Sequence, residues 1–137
     1  MGVAIRYTTS IVGVTPEQLE GFFVGWPNPP SSGCLRTILT NSSHFVLALD
    51  GSRVVGFVNA LSDGVLYAFV PLLEVLPDYQ KQGIGRHLVR HLLQEIGDIY
   101  AVDLLCDENV RPFYGKLGFA PGTAMLKRNY KAQCGKT

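Results

Sequence analysis

The sequence predicts an α/β protein with a mixed sheet, and three features carry that prediction. Residues 65–76 form a nearly unbroken apolar run, which is typical of a buried strand. Residues 83–96 place apolar side chains at helical spacing, with charged and polar side chains on the opposite face. Asp50-Gly51 lies between two apolar runs and is a strong hairpin signal. Because strands and helices do not alternate strictly, a mixed sheet is expected.

The predicted elements follow the order β-α-α-β-β-β-α-β-α-β. Val3 to Thr8 is the first strand, and Thr15-Pro16-Glu17 opens a helix that carries Leu19, Phe22 and Phe23, with an N-cap residue, a proline and an early acid. Pro71 inside the apolar run indicates a bulge or a sheet edge. The remaining elements are a helix at 32–41, strands at 44–49, 53–61 and 65–76, a helix at 83–96, a strand at 99–106, a short helix at 109–117 and a final strand near 124–130.

Length and composition predict a small one-domain protein. Its 137 residues are 47% hydrophobic and 17% charged, and we expect one domain over 1–137 with a disordered tail of about six residues. A net charge of +1 argues against nucleic acid or an anionic membrane as the main partner. No apolar stretch approaches the roughly 20 residues of a membrane span. Three scattered cysteines without metal-ligand spacing indicate reduced thiols in a cytoplasmic protein, with no metal.

The turn between the apolar run and the long helix, Gln80-Lys81-Gln82-Gly83-Ile84-Gly85, predicts a pyrophosphate site. Its glycines allow close approach of the backbone, and the first helical N–H groups point outward at the positive end of the helix dipole. No Gly-Lys-Ser/Thr follows, which excludes a Walker A loop. Leu88 stands where a dinucleotide fingerprint requires a third glycine.

The pattern Q-x-x-G-x-G resembles the acetyl-CoA signature of the GNAT N-acetyltransferase superfamily. The segment Leu73-Glu74-Val75-Leu76-Pro77-Asp78-Tyr79 resembles the strand and connection before that loop, and the NVRPFYGKLGF stretch at 109–119 resembles the family's later asparagine-to-FYxKLGF element. These segments span residues 65–120 in the family's order. The resemblance implies a GNAT-like acyl-CoA N-acyltransferase fold. It also implies transfer of the acetyl group of acetyl-CoA, as co-substrate, to a primary amine by direct attack in a ternary complex.

The resemblance also implies how acetyl-CoA is held. A bulge at Pro71 would splay the strand, so that backbone groups after it meet the pantetheine arm; a plain edge strand is the alternative. Asn109 corresponds to an asparagine that contacts this arm, and an N-cap role is compatible with that contact. The implied cofactor-binding residues are Leu73, Val75, Leu76, Gln80, Lys81, Gln82, Gly83, Ile84, Gly85, Arg86, Asn109 and Tyr114.

Two residues are candidates for the acid and base of acetyl transfer. Tyr114 matches the family tyrosine that donates a proton to the coenzyme A sulfur, and a phenol with an unperturbed pKa near 10 can do so. The alternative is a tyrosine packed on the core. Glu74 is the only ionisable group in the 65–76 run and is the candidate base. It could instead pair with Lys81, Arg86 or Arg90, which leaves Asp107 or water as the base.

The acceptor pocket is predicted least specifically. In the family, the first two helices and their connection form part of this pocket, which implies Phe22, Phe23 and Trp26, with Asp107, as substrate-binding residues. An aromatic, proline-stiffened lip favours an arylalkylamine among small-molecule or peptide amines. Trp26 as a core anchor is the alternative. A non-catalytic acyl-CoA-binding GNAT-like sensor or regulatory module is the alternative function. The short C-terminal strand would suit a homodimer.

Overall fold

The computed structural model describes residues 4–136 and contains one six-stranded mixed sheet. The strands are β1 Arg6–Thr8, β2 His44–Asp50, β3 Arg53–Ser62, β4 Tyr67–Val70, β5 Leu73–Val75 and β6 Ala101–Leu104. Their order in the sheet is β1-β2-β3-β4-β6, and β5 pairs with the same edge of β3 as β4 does. The β4–β6 pair is parallel and the other pairs are antiparallel. The predicted α/β class with a mixed sheet is confirmed.

Three α-helices accompany the sheet: α1 Ser32–Thr40, α2 Ile84–Ile96 and α3 Arg111–Gly115. Single 3₁₀ turns occupy Pro16–Leu19, Pro77–Tyr79, Glu108–Val110 and Tyr130–Ala132. The helix α2 packs on β2 and β3, and a Cβ added at Gly56 of β3 would lie only 3.1 Å from Leu88 of α2. Within residues 4–136, no helix is long and apolar enough to cross a membrane.

The first predicted helix is wrong in length. Its start is as expected, because Gln18 Oε1 accepts a hydrogen bond from the Thr15 backbone N–H at 2.8 Å. It ends after one 3₁₀ turn at Leu19, and the chain then passes through Gly21, which has a φ of 96°. A backbone in that left-handed conformation does not continue a helix. Phe22 and Phe23 therefore leave the helix and enter the core, against Phe57.

The single predicted strand at 65–76 is two strands. β4 pairs with β3 so that Phe69 lies opposite Leu61, whereas β5 pairs with β3 so that Leu73 lies opposite Val58. Between these two positions the segment that joins β4 to β5 has one residue more than β3. Pro71 sits at this bulge, where its missing N–H costs no ladder hydrogen bond. The proline thus marks the bulge that the sequence indicated, but it also ends the continuous strand.

Three predicted elements near the C-terminus also differ. The strand expected at 99–106 is limited to Ala101–Leu104, and the helix expected at 109–117 is a 3₁₀ turn followed by α3. The strand expected near 124–130 is not formed: within the described residues no backbone hydrogen bond joins residues 120–128 to a neighbouring strand, and Asn129 precedes the 3₁₀ turn at Tyr130–Ala132. Val3, where the first strand was expected to begin, lies outside the described residues.

Candidate active site

The central feature of the site is a gap between β5 and the chain that follows β6. The parallel β4–β6 ladder ends where Val70 faces Leu104. Beyond that point β5 stays with β3, while the chain after β6 turns into Leu105-Cys106-Asp107. The two sides diverge and enclose a cleft of about 1390 Å³. A parallel sheet that opens at the carboxyl ends of its strands commonly binds a ligand in the opening.

The bulge directs unpaired backbone groups of β5 into this gap. Leu72 O accepts from Asn59 N at 3.2 Å, and Leu76 N donates to Val55 O at 2.8 Å. In an antiparallel ladder, successive residues direct their backbone groups alternately toward and away from the neighbouring strand. Since Leu72 and Leu76 bond to β3, the backbone groups of Leu73 and Val75 point away from it. Gln80 Nε2 donates to the Val75 carbonyl at 2.9 Å. The N–H of Val75 and both backbone groups of Leu73 remain for a ligand.

Asn59 supports the bulge and was not identified from the sequence. Its side chain is 2% exposed, and its Oδ1 accepts a hydrogen bond from Leu72 N at 3.1 Å. Its Nδ2 donates to Ser42 Oγ at 3.0 Å. The side-chain oxygen therefore satisfies an N–H at the bulge, which would be costly to leave unpaired in the interior. A buried polar residue in an apolar strand is the one signal by which the sequence could have revealed it.

The N-terminus of α2 forms another wall of the cleft. Gly83 is its N-cap, with a φ of 84°, and the first intrahelical bond runs from His87 N to Gly83 O at 3.1 Å. The N–H groups of Ile84, Gly85 and Arg86 therefore have no intrahelical acceptor and form a site for phosphate oxygens. A Cβ at Gly85 would lie 3.5 Å from the Phe113 ring, which is ordinary van der Waals contact, so the first turn of α2 packs directly beside α3.

Basic side chains predominate in the cleft. Five of them line it, against two carboxylates, Glu74 and Asp107; the basic residues are Lys81, Arg86, Arg90, Lys116 and Arg128. The ion pair between Arg111 and Glu108, at 3.7 Å, involves none of these seven residues. An excess of cations beside free helical N–H groups suits a ligand with several phosphate charges.

Tyr114 lies half-buried at the side of this cleft, on α3. Its ring contacts those of Phe113 and Phe119 edge to face, at centroid distances of 4.9 and 5.8 Å. Burial, followed by the neighbouring Cys106, raises the pKa of Tyr114 to about 12. The unperturbed pKa near 10 expected for this phenol from the sequence is therefore wrong. The group stays protonated at every physiological pH.

Glu74 is held by the backbone of the segment that follows the first helical turn. Its Oε1 accepts from Phe23 N at 2.8 Å, and its Oε2 accepts from Val24 N at 3.2 Å. Phe23 has a φ of 62°, an uncommon conformation for a bulky residue, which these bonds help to maintain. Glu74 lies opposite Phe57 in the β3–β5 ladder, so both side chains share the face that packs against Phe22 and Phe23. The carboxylate lines the cleft, and within residues 4–136 it forms no ion pair with a basic side chain.

The structure brings most of the predicted site residues together. The cleft is lined by Trp26, Leu73, Glu74, Val75, Gln80, Lys81, Gly83, Ile84, Gly85, Arg86, Asp107 and Tyr114. Trp26 is 38% exposed, and its ring lies 4.8 Å from that of Phe23.

Five predicted residues lie outside this lining. Phe22 and Phe23 are in the core, and Leu76 is buried, with its N–H paired to β3. Gln82 and Asn109 are exposed next to the cleft. Asn109 is not a helix N-cap, because Asp107 precedes the 3₁₀ turn and Val110 precedes α3. Among residues 4–136 there is no cluster of three or more potential metal ligands.

A bulged strand that diverges from its neighbour, next to a glycine-capped helix, defines an acyl-CoA-binding acetyltransferase fold. The chain belongs to the GNAT acetyltransferase family, since the family model described as an acetyltransferase (GNAT) domain matches residues 41–121. Domains of this family use acetyl-CoA as co-substrate.

Solved structures and curated relatives agree with this assignment. The chain is 50% identical to a protein of Deinococcus radiodurans R1 that is described as an acetyltransferase. The two structures match with a TM-score of 0.96 over 97% of this chain and 94% of that one. It is 33% identical to a GNAT-family protein of Streptococcus pneumoniae TIGR4, with a TM-score of 0.73 over 93% and 98% of the two chains.

Among curated proteins, the chain is 32% identical to the histone acetyltransferase TAP1 of Glycine max, over 70% of this chain and 47% of that protein. It is 31% identical to the N-acetyltransferase ycf52 of Pyropia yezoensis, over 70% of this chain and 58% of that protein. The chain thus spans about half the length of these curated relatives.

Proposed function

We propose that the protein is an N-acetyltransferase that moves the acetyl group of acetyl-CoA to a primary amine by direct attack in a ternary complex. One observation carries this proposal. A single cleft is lined by the first turn of α2, the free backbone groups of β5, the Tyr114 side chain and the Glu74 carboxylate. The same cleft therefore contains groups that can bind phosphate, groups that can bind pantetheine, a proton donor and a carboxylate.

The residues present fit acetyl-CoA. The N–H groups of Ile84, Gly85 and Arg86 would hold the pyrophosphate, and the five basic side chains would offset its charge. Leu73 and Val75 would bond the amides of the pantetheine arm, as an added strand does. When bound, the co-substrate supplies an activated thioester acyl group.

Tyr114 acts as the acid by donating a hydrogen bond to the sulfur as negative charge develops there. A phenol with a pKa of about 12 is a weaker acid than an ordinary thiol, whose unperturbed pKa is about 8.5, so complete proton transfer from Tyr114 to the thiolate is unfavourable. Exclusion of water also raises the pKa of a buried thiol, which reduces the difference between the pKa of the thiol and that of the phenol. Tyr114 is thus suited to stabilise developing charge, with the proton following as the sulfur departs.

Glu74 is the proposed acceptor of the amine's proton, directly or through water. An ionised carboxylate offers about four acceptor sites, and the backbone bonds from Phe23 and Val24 occupy two of them. Those bonds orient the group and leave acceptor capacity toward the cleft. Asp107, which lines the same cleft, and bulk water are the alternative bases.

The proposed acceptor is a small-molecule or peptide amine, with an arylalkylamine first. Trp26 and Val24 place apolar surface at the cleft next to Glu74. The basic majority in the cleft disfavours a polycationic amine, which needs acidic walls. The relative from Glycine max carries the name histone acetyltransferase, and this supports a peptide series in any acceptor screen.

One observation favours a second candidate, a non-catalytic acyl-CoA-binding module. Both Glu74 oxygens already accept backbone hydrogen bonds, as a purely structural carboxylate would. Such a module requires the glycine-capped helix but not a proton acceptor.

Release of free thiol from acetyl-CoA tests the proposal. The screen should contain arylalkylamines, aliphatic amines, a polyamine, and peptides with a free N-terminus or lysine. We expect turnover that depends on the amine and is highest with an aromatic or apolar acceptor. Calorimetric binding of acetyl-CoA without turnover for any acceptor would support the binding module instead. Absence of acetyl-CoA binding would contradict both functions.

A further inference from the structure

Residues 130–135, called the C-terminal turn below, pack against the start of α1 and the loop before it, about a hundred residues earlier in the chain. Gln133 Oε1 accepts a hydrogen bond from Asn28 N at 3.0 Å. The segment just before the turn contributes Leu126 and Arg128 to the cofactor cleft. Contacts of the turn with α1 therefore hold the far end of one cleft wall.

Two cysteines meet where the C-terminal turn contacts α1. Cys34 lies in the first turn of α1, where its N–H donates to Ser31 Oγ at 3.0 Å. Its sulfur lies 3.7 Å from the carbonyl oxygen of Cys134. The Cys134 sulfur lies 3.7 Å from the carbonyl oxygen of Gly135, and both cysteines are partly buried. The tertiary structure thus brings together two thiols that are distant in the sequence.

Gly135 makes room for the Cys34 sulfur. Its φ of 94° is left-handed, and a Cβ at this position would lie only 2.7 Å from that sulfur. A larger residue would therefore require Cys34 to move. Both sulfur atoms border this glycine, whereas the third cysteine, Cys106, lines the cofactor cleft.

We propose that Cys34 and Cys134 are a disulfide-forming pair, which reacts with a low-molecular-weight disulfide and links the C-terminal turn to α1. Both thiols are free in this structure. The Cys134 Cβ is two bonds from the carbonyl carbon whose oxygen the Cys34 sulfur contacts, so rotation about the two χ1 angles brings the sulfur atoms to bonding distance. The link closes a loop of about a hundred residues, and a disulfide across a long loop strongly restricts the unfolded chain.

The link forms by two successive thiol–disulfide exchanges. One cysteine thiolate attacks a sulfur of the small disulfide, so that a mixed disulfide forms and the first small thiolate leaves. The second cysteine thiolate attacks the cysteine sulfur of the mixed disulfide, and the second small thiolate leaves as the Cys34–Cys134 bond forms. The two departing thiolates take up the two protons that the cysteines lose. Two electrons pass from the protein to the small disulfide, which becomes two thiols.

Oxidation of the full chain in mixtures of reduced and oxidised glutathione tests the proposal, and it needs no acetyl-CoA. We expect the 15.0 kDa chain to lose the mass of two hydrogen atoms while remaining a single chain by denaturing mass spectrometry. Tryptic digestion without reductant should join the peptide that ends at Arg36 to the peptide that ends at Lys136. A chain that stays fully reduced, or that carries only glutathione adducts, would overturn the proposal.

Single substitutions identify the two sulfur atoms. Cys34→Ser and Cys134→Ser should each abolish the link and leave a glutathione adduct on the remaining member of the pair. Cys106→Ser is the matched control and should form the link to the same extent as the wild type, because this thiol lies in the cleft. A wild-type link that includes Cys106, or loss of the link in Cys106→Ser, would contradict the pairing.

The wild type alone provides a second test, which is independent of how the variants fold. If the fold holds the two sulfur atoms near each other, the equilibrium constant of link formation against glutathione should be about tenfold or more larger in the native protein than in the urea-unfolded chain. Since oxidation and folding are thermodynamically linked, the oxidised protein should also have the higher melting temperature. An equal or smaller equilibrium constant in the native protein would show that the fold does not favour the link, and it would refute the proposal.

Discussion

Removal of the Tyr114 hydroxyl is the most direct test of the proposed chemistry. Tyr114→Phe keeps the ring contacts with Phe113 and Phe119 at 4.9 and 5.8 Å and removes only the donor. Loss of a general acid typically costs about 10²–10⁴ in rate, and we expect a fall in kcat of about 10² because the phenol is a weak donor. Acetyl-CoA affinity by calorimetry and the melting temperature should change little, because backbone groups and basic side chains hold the co-substrate.

The pH dependence of the wild type tests the same argument quantitatively. Tyr114 donates only when protonated, and its pKa is raised to about 12, so the active form persists until the pH approaches that value. At pH 10 an ordinary phenol would be about half ionised, whereas Tyr114 would lose only about 1% of its protons. With saturating acetyl-CoA and amine, kcat should therefore show no fall from ionisation of this acid up to pH 10, as followed by thiol release.

Two results would refute this reasoning. Unchanged turnover of Tyr114→Phe with a good acceptor would return the tyrosine to a packing role. A wild-type kcat that halves near pH 10, with the protein still folded, would show that burial does not raise the pKa of this phenol.

Three further predictions concern the cofactor, the base and the acceptor. Acetyl-CoA at about 100 times its Kd should stabilise the protein by about 2.7 kcal/mol and raise its melting temperature by about 10 °C. Gly83→Asp should abolish this rise by placing a carboxylate at the phosphate site, whereas Gly97→Asp, also at a positive φ but at the other end of α2, should preserve it. Glu74→Gln should lower the rate at neutral pH, with partial recovery at alkaline pH. Glu74→Ala should also raise the acceptor KM, because it removes the hydrogen-bond acceptor of the Phe23 and Val24 backbone. A wild-type pH profile in Glu74→Gln would point to Asp107 or water as the base. Trp26→Ala should raise the acceptor KM about tenfold with little change in kcat, and an unfolded variant would instead make this residue a core anchor.

The elements that the sequence predicted well are those with local causes. Residues 83–96 were expected to form a helix that begins at a glycine turn, and α2 runs from Ile84 to Ile96 with Gly83 as its N-cap. The Asp50-Gly51 hairpin joins β2 and β3 as expected, with a φ of 61° at Gly51. The helical spacing of apolar residues, the glycines at positive φ and the Asp-Gly turn each depend on only a few neighbouring residues, so they can be recognised in a single sequence. The phosphate-binding end of the site was therefore predictable.

The features of the fold and the site that the sequence did not predict depend on contacts between distant segments of the chain. Pro71 indicated a bulge, but the side chain that pairs with the Leu72 N–H at this bulge belongs to Asn59, thirteen residues earlier in the chain. The partners of Glu74 lie about fifty residues earlier in the chain, so its orientation could not be read from the 65–76 run alone. The pKa of Tyr114 depends on how deeply the folded protein buries it. The C-terminal strand had the right local pattern and no partner within the described chain. Local pattern determined where α2 and the β2–β3 hairpin begin, whereas desolvation and strand pairing are properties of the assembled surfaces and were decided only by the tertiary structure.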